Sequence, residues 1–398
     1  MHEWERAREA MKRYEVIQKG LDGKLTWIEV AEILSLTARQ VRRIKKRFET
    51  EGERAVWDRR YGIKAWNRVP EAIEQKVLKL YRDQYFDFNV KHFHEKLKAD
   101  HGITQSYEWV LVFLQRHGVI ARHRKFEPHR KKRERRPLPG MMLHLDGSSH
   151  RWVGDEGPKW DLLATLDDAT NEVYDAFFVR EEDTRSVLQI LWNTVEKKGA
   201  FCSLYTDRAT HFVVTPKAGE KVDKRIRTQC QRALDQLGCR LIPAYSPQAR
   251  GRGERLWRTF QGRLPQELRV AKITEMDEAN AYLRATFIPN YNQQFKVKPK
   301  ERGTAFTRVV AGIKLERVFS IQCERTVNND NTISYKAIRF QLPESSLRYS
   351  FTRCQVTLHE HLDQTYSITF GPALIARYDA QGKELRKPEK APKEPLAA

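Results

Sequence analysis

The sequence is poor in cysteine, in long apolar runs and in acidic charge, and each shortage closes off a class of protein. Its five cysteines, Cys202, Cys230, Cys239, Cys323 and Cys354, are an odd number with no Cys-x-x-Cys pair. Neither a disulfide framework nor a zinc ribbon is expected from them. No apolar stretch approaches the ~20 residues that span a bilayer, and the opening MHEWERAREAMKRYE is too charged for a secretory signal. A cytoplasmic chain with no membrane partner is therefore expected. Asp and Glu number 52 against 73 Lys and Arg, a net charge of +21, which calls for a polyanionic partner.

At 398 residues with 40% hydrophobic content, the chain is long enough for two to four domains with real cores. The basic excess is concentrated at the front: residues 1–140 hold 33 Lys and Arg against 20 Asp and Glu.

Three of the acids stand out by context: Asp146 in MMLHLDGSSH, Asp207 in FCSLYTDRATHF and Glu254 in YSPQARGRGERLWRTFQGRL. Around Asp146 the pattern alternates, with Met142, His144 and Asp146 on one strand face and Leu143 and Leu145 on the other. Asp207 closes the apolar run Phe201 to Tyr205, where a strand delivers its last residue to a sheet edge. Leu256, Phe260 and Leu264 recur every four residues, so a helix there buries that side and turns Glu254, Arg258 and Gln261 to the other. Two strand carboxylates can thus meet one helical carboxylate, a donor set suited to hard divalent cations. Asp167 and Asp168 are competitors, but they read as a hairpin turn between LLATL and EVYDAFFV, where Asp serves local hydrogen bonds. The pairs His92/His94 and His359/His361 lack cysteines at ligand spacing and read as ordinary histidines.

The segment SPQARGRGERLWRTFQGRLPQELR resembles the signature that surrounds the third carboxylate in DDE transposases with a retroviral-integrase-type core. The resemblance runs from about residue 26 to about residue 378. It implies a catalytic and metal-binding trio of Asp146, Asp207 and Glu254 holding two Mg²⁺ ions, with Mn²⁺ as a substitute. One departure is the spacing: Glu254 follows Asp207 by 47 positions, longer than in many members. The excess fits the polar insertion TPKAGEKVDKRIRT ahead of a helical run from Gln229 to Leu237. The implied activity is cleavage at the terminal inverted repeats of an insertion sequence and transfer of the 3′ ends into target DNA. The implied partners are double-stranded DNA and further copies of the chain, at least a dimer on DNA, in the cytoplasm and on the nucleoid of a bacterium.

The fold expected is a multidomain α+β chain. Residues 1–66 read as a helix-turn-helix domain: a helix through Trp27, Val30, Ala31, Ile33 and Leu34, then Ser35-Leu36-Thr37 as turn and N-cap, then a basic second helix. There Val41, Ile44 and Phe48 bury one face, leaving Arg39, Gln40, Arg42, Arg43, Lys46 and Arg47 for the major groove. Residues 67–121 read as a second helical unit, with Ser106 as an N-cap, and resemble the second helix-turn-helix or winged-helix domain of such transposases. Residues 122–138 form a basic linker in which Arg124, Lys125, Arg130, Lys131, Lys132 and Arg133 follow phosphates. Residues 139–302 give three antiparallel strands, then alternating helices and parallel strands, similar to the RNase H-like α/β catalytic core with a mixed five-stranded sheet. Arg258 and Gln261 are expected to hold the DNA end, with Arg250 and Arg252 assisting. Residues 315–380 are expected to close a small β-barrel, and 383–398 to be a disordered tail. A transposase-derived regulator that binds DNA without catalysis is the main alternative. A structure-selective nuclease of the same fold is the other.

Overall fold

The computed structural model describes residues 3–57, 68–122, 134–154, 156–214, 226–245 and 251–385. The chain divides into two compact units between Val77 and Leu78.

The first unit contains helices α1 (Glu3–Leu21), α2 (Trp27–Ile33) and α3 (Ala38–Glu51), followed by a 3₁₀ turn (Gly52–Val56). The starts of α2 and α3 are fixed by capping boxes: Thr26 exchanges hydrogen bonds with Glu29, and Thr37 with Gln40. Ser35 adopts a positive φ of 49° in the turn between them. Ala10, Ile17, Val30, Val41 and Val56 form the core, with Ile44 and Phe48 packed against it. Fully burying a Val or Ile side chain stabilises by ~1.5–3 kcal/mol, so this spacing fixes the rotation of α3. Arg39, Gln40, Arg42, Arg43 and Lys46 are consequently exposed.

The second unit begins within α4 (Glu71–Asp83) and continues through α5 (Val90–His101) and α6 (Tyr107–Arg116). Asn89 and Ser106 cap α5 and α6, the second as the sequence predicts. Gly102 ends α5 at φ 65°, the left-handed conformation that glycine adopts without cost from a Cβ.

A five-stranded sheet follows, built from β1 (Leu143–Arg151), β2 (Lys159–Asp167), β3 (Val173–Val179), β4 (Ser203–Thr206) and β5 (Arg240–Pro243). Its order is β3-β2-β1-β4-β5. The β3/β2/β1 ladders are antiparallel and the β1/β4/β5 ladders parallel, the mixed sheet expected from the sequence. Helices α7 (Thr184–Lys198) and α8 (Gln229–Gln236) bury Val187, Leu191 and Leu234 with Leu143, Leu145 and Leu204 on one face. Helices α9 (Gly251–Gln261), α10 (Leu264–Val270), α11 (Met276–Tyr282) and α12 (Ile288–Phe295) cover the other. There Leu256, Phe260, Leu268 and Leu283 meet Leu162, Ala164 and Phe178. After α12 the chain returns to the first face: Ala200 bridges Thr307, and Phe306, Val309 and Leu315 pack into that core. The last residues of this segment form a short helix, α13 (Leu315–Val318).

The C-terminal strands are β6 (Ile321–Thr326), β7 (Thr332–Tyr335), β8 (Ile338–Gln341), β9 (Gln355–Glu360), β10 (Tyr366–Phe370) and β11 (Ala373–Tyr378). They form an open four-stranded sheet, β11-β10-β9-β6, and a separate β7-β8 ribbon. A closed barrel would need β6 to pair with β11, and among the described residues no such ladder exists. The ribbon instead sends Ile333 and Phe340 into the same core as Leu358 and Ile368. The start of the expected tail pairs back, Leu385 N–H donating to the Arg377 carbonyl at 2.7 Å; residues 386–398 lie outside the described residues. Among the described residues no helix is long and apolar enough to cross a membrane.

Candidate active site

The parallel β1/β4 ladder places Leu143 opposite Leu204 and His144 opposite Tyr205. Two residues further along the same register, Asp146 stands level with Asp207, the residue after β4. Neighbouring strands run about 4.8 Å apart, so the two carboxylates share one end of the sheet, and both line one small cleft with Thr206 and Gly253. Asp207 Oδ1 accepts the Ala209 N–H at 3.0 Å, which fixes the turn leaving β4.

Helix α9 lies directly on β1. A Cβ at Gly253 would come within 3.1 Å of Asp146 Oδ2, so any larger residue there would crowd that carboxylate. Trp257 Nε1–H donates to the same oxygen at 3.0 Å, and one turn on, Gln261 Nε2–H donates to Ser148 Oγ at 3.0 Å. Glu254 follows Gly253 and is exposed. Among the described residues no three His, Cys, Asp or Glu side chains converge on one point; Asp146 and Asp207 are brought together, and Glu254 stands beside them on the solvent side. Two carboxylates at one level with a third at the adjoining helix start are nevertheless hard oxygen donors of the kind Mg²⁺ takes.

Gly147, next to Asp146, has its own reason. A Cβ there would meet Glu182 Oε2 at 2.0 Å, and Glu182 pairs with His211 at 2.8 Å. Sequence patterning offers no signal for this pair, which joins residues from two separate loops.

Asp167 serves the local hydrogen bonds expected of a turn aspartate, accepting Thr170 N–H at 2.8 Å and its hydroxyl at 2.9 Å. Asp167 also accepts the distant Gly140 N–H at 2.8 Å. Its neighbour Asp168, equally buried, accepts His144 Nε2–H at 2.9 Å and the Arg136 N–H at 2.8 Å, and it forms an ion pair with Arg252 Nε at 2.6 Å. Burial by itself would raise its pKa, but His144, the Arg136 amide and the Arg252 guanidinium outweigh burial and pull it down to about 2.

Of the expected DNA contacts near the cleft, Arg258 is exposed, whereas Arg252 is drawn inward to Asp168 and Gln261 to Ser148. In the first unit Gln40 Oε1 accepts the Thr37 N–H as a cap, and Arg47 donates to the Ala55 carbonyl at 2.7 Å. Arg124, Lys125, Arg130, Lys131, Lys132, Arg133 and Arg250 lie outside the described residues, as does most of the 215–228 insertion.

Helix α5 is fastened to the α9–α10 region by buried polar contacts that the sequence does not announce. His92 Nε2 bonds Glu267 Oε1 at 2.8 Å, and the other Glu267 oxygen accepts the Tyr282 hydroxyl at 2.6 Å. Burial lowers the His92 pKa, and among the described residues its Nδ1 has no hydrogen-bond partner, as suits a neutral ring. Burial would raise the Glu267 pKa, but the His92 and Tyr282 bonds overcome it and lower it. Beside them Arg263 pairs with Glu95 and Arg269 with Asp87. His359 and His361 are buried and bonded to Ser320, Thr369, Ser367 and the Glu316 carbonyl.

Residues 12–63 match the family described as a helix-turn-helix domain. A protein of Sinorhizobium fredii (strain NBRC 101917 / NGR234) that carries a transposase name, y4bF, is 30% identical over 354 residues, covering 89% of this chain and 77% of that protein. The transposase for insertion sequence IS1202 of Streptococcus pneumoniae is 28% identical over 323 residues, covering 73% of this chain and 69% of that protein. Among solved structures, the likeness is weak. The simian T-cell lymphotropic virus intasome, in complex with a PP2A regulatory subunit, gives a TM-score of 0.33 at 14% identity over 72% of this chain and 93% of that one. The Mos1 strand transfer complex gives 0.29 at 15% identity, over 71% and 90%. With nearly nine-tenths of its length matched at 30% identity to a protein named as a transposase, the chain belongs to the transposase family.

Proposed function

We propose that the chain binds the terminal inverted repeats of an insertion sequence, cleaves the 3′ ends and transfers them into target DNA in a Mg²⁺-dependent reaction. The observation that carries this reading is the parallel register that sets Asp146 level with Asp207, with the Glu254 helix docked on β1 beside them. Divalent cations held by Asp146, Asp207 and Glu254 would activate the attacking oxygen and stabilise the leaving one, with Mn²⁺ serving in place of Mg²⁺. In-line displacement of this kind needs no protein nucleophile. Trp257 holds one oxygen of Asp146 in place, and exposed Arg258 is placed to meet a DNA end. Repeat recognition falls to the exposed face of α3 (Arg39, Arg42, Arg43 and Lys46), and the basic segment 122–138 follows phosphates. The setting is the bacterial cytoplasm and nucleoid, and the working form is a dimer or larger on DNA.

A transposase-derived regulator without catalysis is the second reading, favoured by the outward position of Glu254 and the lack of a three-group convergence among the described residues. One experiment separates the two. Asp146→Asn, Asp207→Asn and Glu254→Gln each keep side-chain shape and remove the charge that holds a cation. Each purified variant is expected to bind repeat DNA from the gene's flanks normally and to lose Mg²⁺-dependent cleavage and strand transfer. A chain that binds the repeats but never cleaves, even unaltered, is the regulator; cleavage retained in one variant removes that residue from the site.

A further inference from the structure

We propose that Asp168 is a positioning residue whose buried carboxylate sets how the Glu254 helix approaches Asp146 and Asp207. The inference rests on the reading of those three acids as the metal site. Asp168 follows β2 and is fully buried, yet it touches two of the three elements that carry the acids, β1 and α9. His144, two residues before Asp146 on the same face of β1, bonds it at 2.9 Å. Arg252, two residues before Glu254 in the first turn of α9, pairs with it at 2.6 Å and keeps only 12% of its side chain exposed. The Arg136 amide completes the cradle at 2.8 Å.

Helix geometry gives this anchor its consequence. Residues two apart are turned by about 200°, so an Arg252 drawn inward to Asp168 directs Glu254 to the opposite side of α9, while Gly253, between them, faces Asp146. The ion pair thus sets the rotational phase of α9, and the His144 bond sets the level of β1 beneath it. Turning Arg252 to solvent would take a guanidinium away from the buried Asp168 carboxylate, which is costly, so the pair favours an inward Arg252. An asparagine at 168 would keep the shape and remove that hold on Arg252.

The test follows cation binding by thermal unfolding of the full chain titrated with Mn²⁺. In the unaltered chain Mn²⁺ is expected to raise Tm, and in Asp146→Asn it is expected to have no effect. In Asp168→Asn and Arg252→Gln the half-point of the rise should move to about 10–100-fold higher Mn²⁺, the usual cost of losing an outer support of a metal site. Arg252→Lys, which keeps the charge, should shift less. Should Asp168→Asn fail to fold, Arg252→Gln decides, since it leaves His144 and the Arg136 amide on Asp168. Half-points unchanged in the 168 and 252 variants, with Asp146→Asn silent, overturn the positioning role and leave the metal site standing. A Mn²⁺ response that survives in Asp146→Asn, or no response in the unaltered chain, overturns the metal site and the inference with it.

Discussion

One oxygen of Asp146 is held by an indole. Trp257→Phe would keep the ring packing against Phe260 and remove the donor to Asp146 Oδ2. Losing one net hydrogen bond costs about 0.5–1.5 kcal/mol, whereas a misoriented metal ligand costs about tenfold or more in rate or affinity. We expect near-normal urea unfolding with single-turnover cleavage about tenfold slower; equal rates would show that the indole serves packing alone. Asp168 carries a pH prediction. Its carboxyl is depressed to about 2 in the fold against about 3.9 in an unfolded chain. The stability it contributes is therefore present above about pH 4 and lost as pH falls toward about 2. Urea unfolding at pH 5 and pH 3 should show a smaller acid loss in Asp168→Asn than in the unaltered chain. At this scale the sequence is only half legible. Asp167 and Asp168 share one local pattern, and Asp167 makes the turn bonds that pattern implies while also accepting the distant Gly140 amide. What separates Asp168 is its side-chain partners, a histidine 24 positions earlier and the distant Arg252, neither visible in a window around the turn.

Helices and strands were more legible, because periodicity is a local signal backed by burial. Val41, Ile44 and Phe48 point inward from α3 as their spacing predicts, and Leu143 and Leu145 alternate with His144 and Asp146 about β1. The stretch TISYKAIRFQL alternates by the same logic, but it turns back at Lys336 and Ala337, whose φ values are 48° and 65°. Such a turn usually takes Asn-Gly; without those residues its trace is the shift of phase from Ile333 and Tyr335 to Ile338 and Phe340. The exposed face of α3 has its own expected outcome. Replacing Arg42 or Arg43 should relax discrimination between repeat and random DNA by about 1–3 kcal/mol if the side chain reads a base edge. Neutralising Lys131, Lys132 and Arg133 should weaken binding to all DNA and flatten its salt dependence. Competition binding at two salt concentrations distinguishes them, and loss of specificity in the linker variant alone would reverse the roles.

For the whole molecule, net charge bears on the proposed assembly. Copies of a chain of net charge +21 are expected to repel one another until a polyanion such as DNA neutralises them. Light scattering should find a monomer or weak dimer without DNA and a stable multimer on paired repeat ends. Mixing Asp207→Asn chains with chains altered at Arg42 and Arg43 tests the arrangement. Recovered strand transfer means that one copy's helix-turn-helix presents DNA to another copy's carboxylates, and a fully active single-copy complex would defeat the idea.

The His92–Glu267 contact acts at this same scale. A hydrogen bond to a buried charged group is worth about 1.5–3 kcal/mol, and Arg263–Glu95 and Arg269–Asp87 pair beside it. The α5 segment is thereby riveted to α10, which follows directly on the helix carrying Glu254. A strand of DNA gripped by α5 or α6 would be gripped at a set distance from the cleft. The molecule would then carry its own ruler, with the position of the cut measured off by the protein frame.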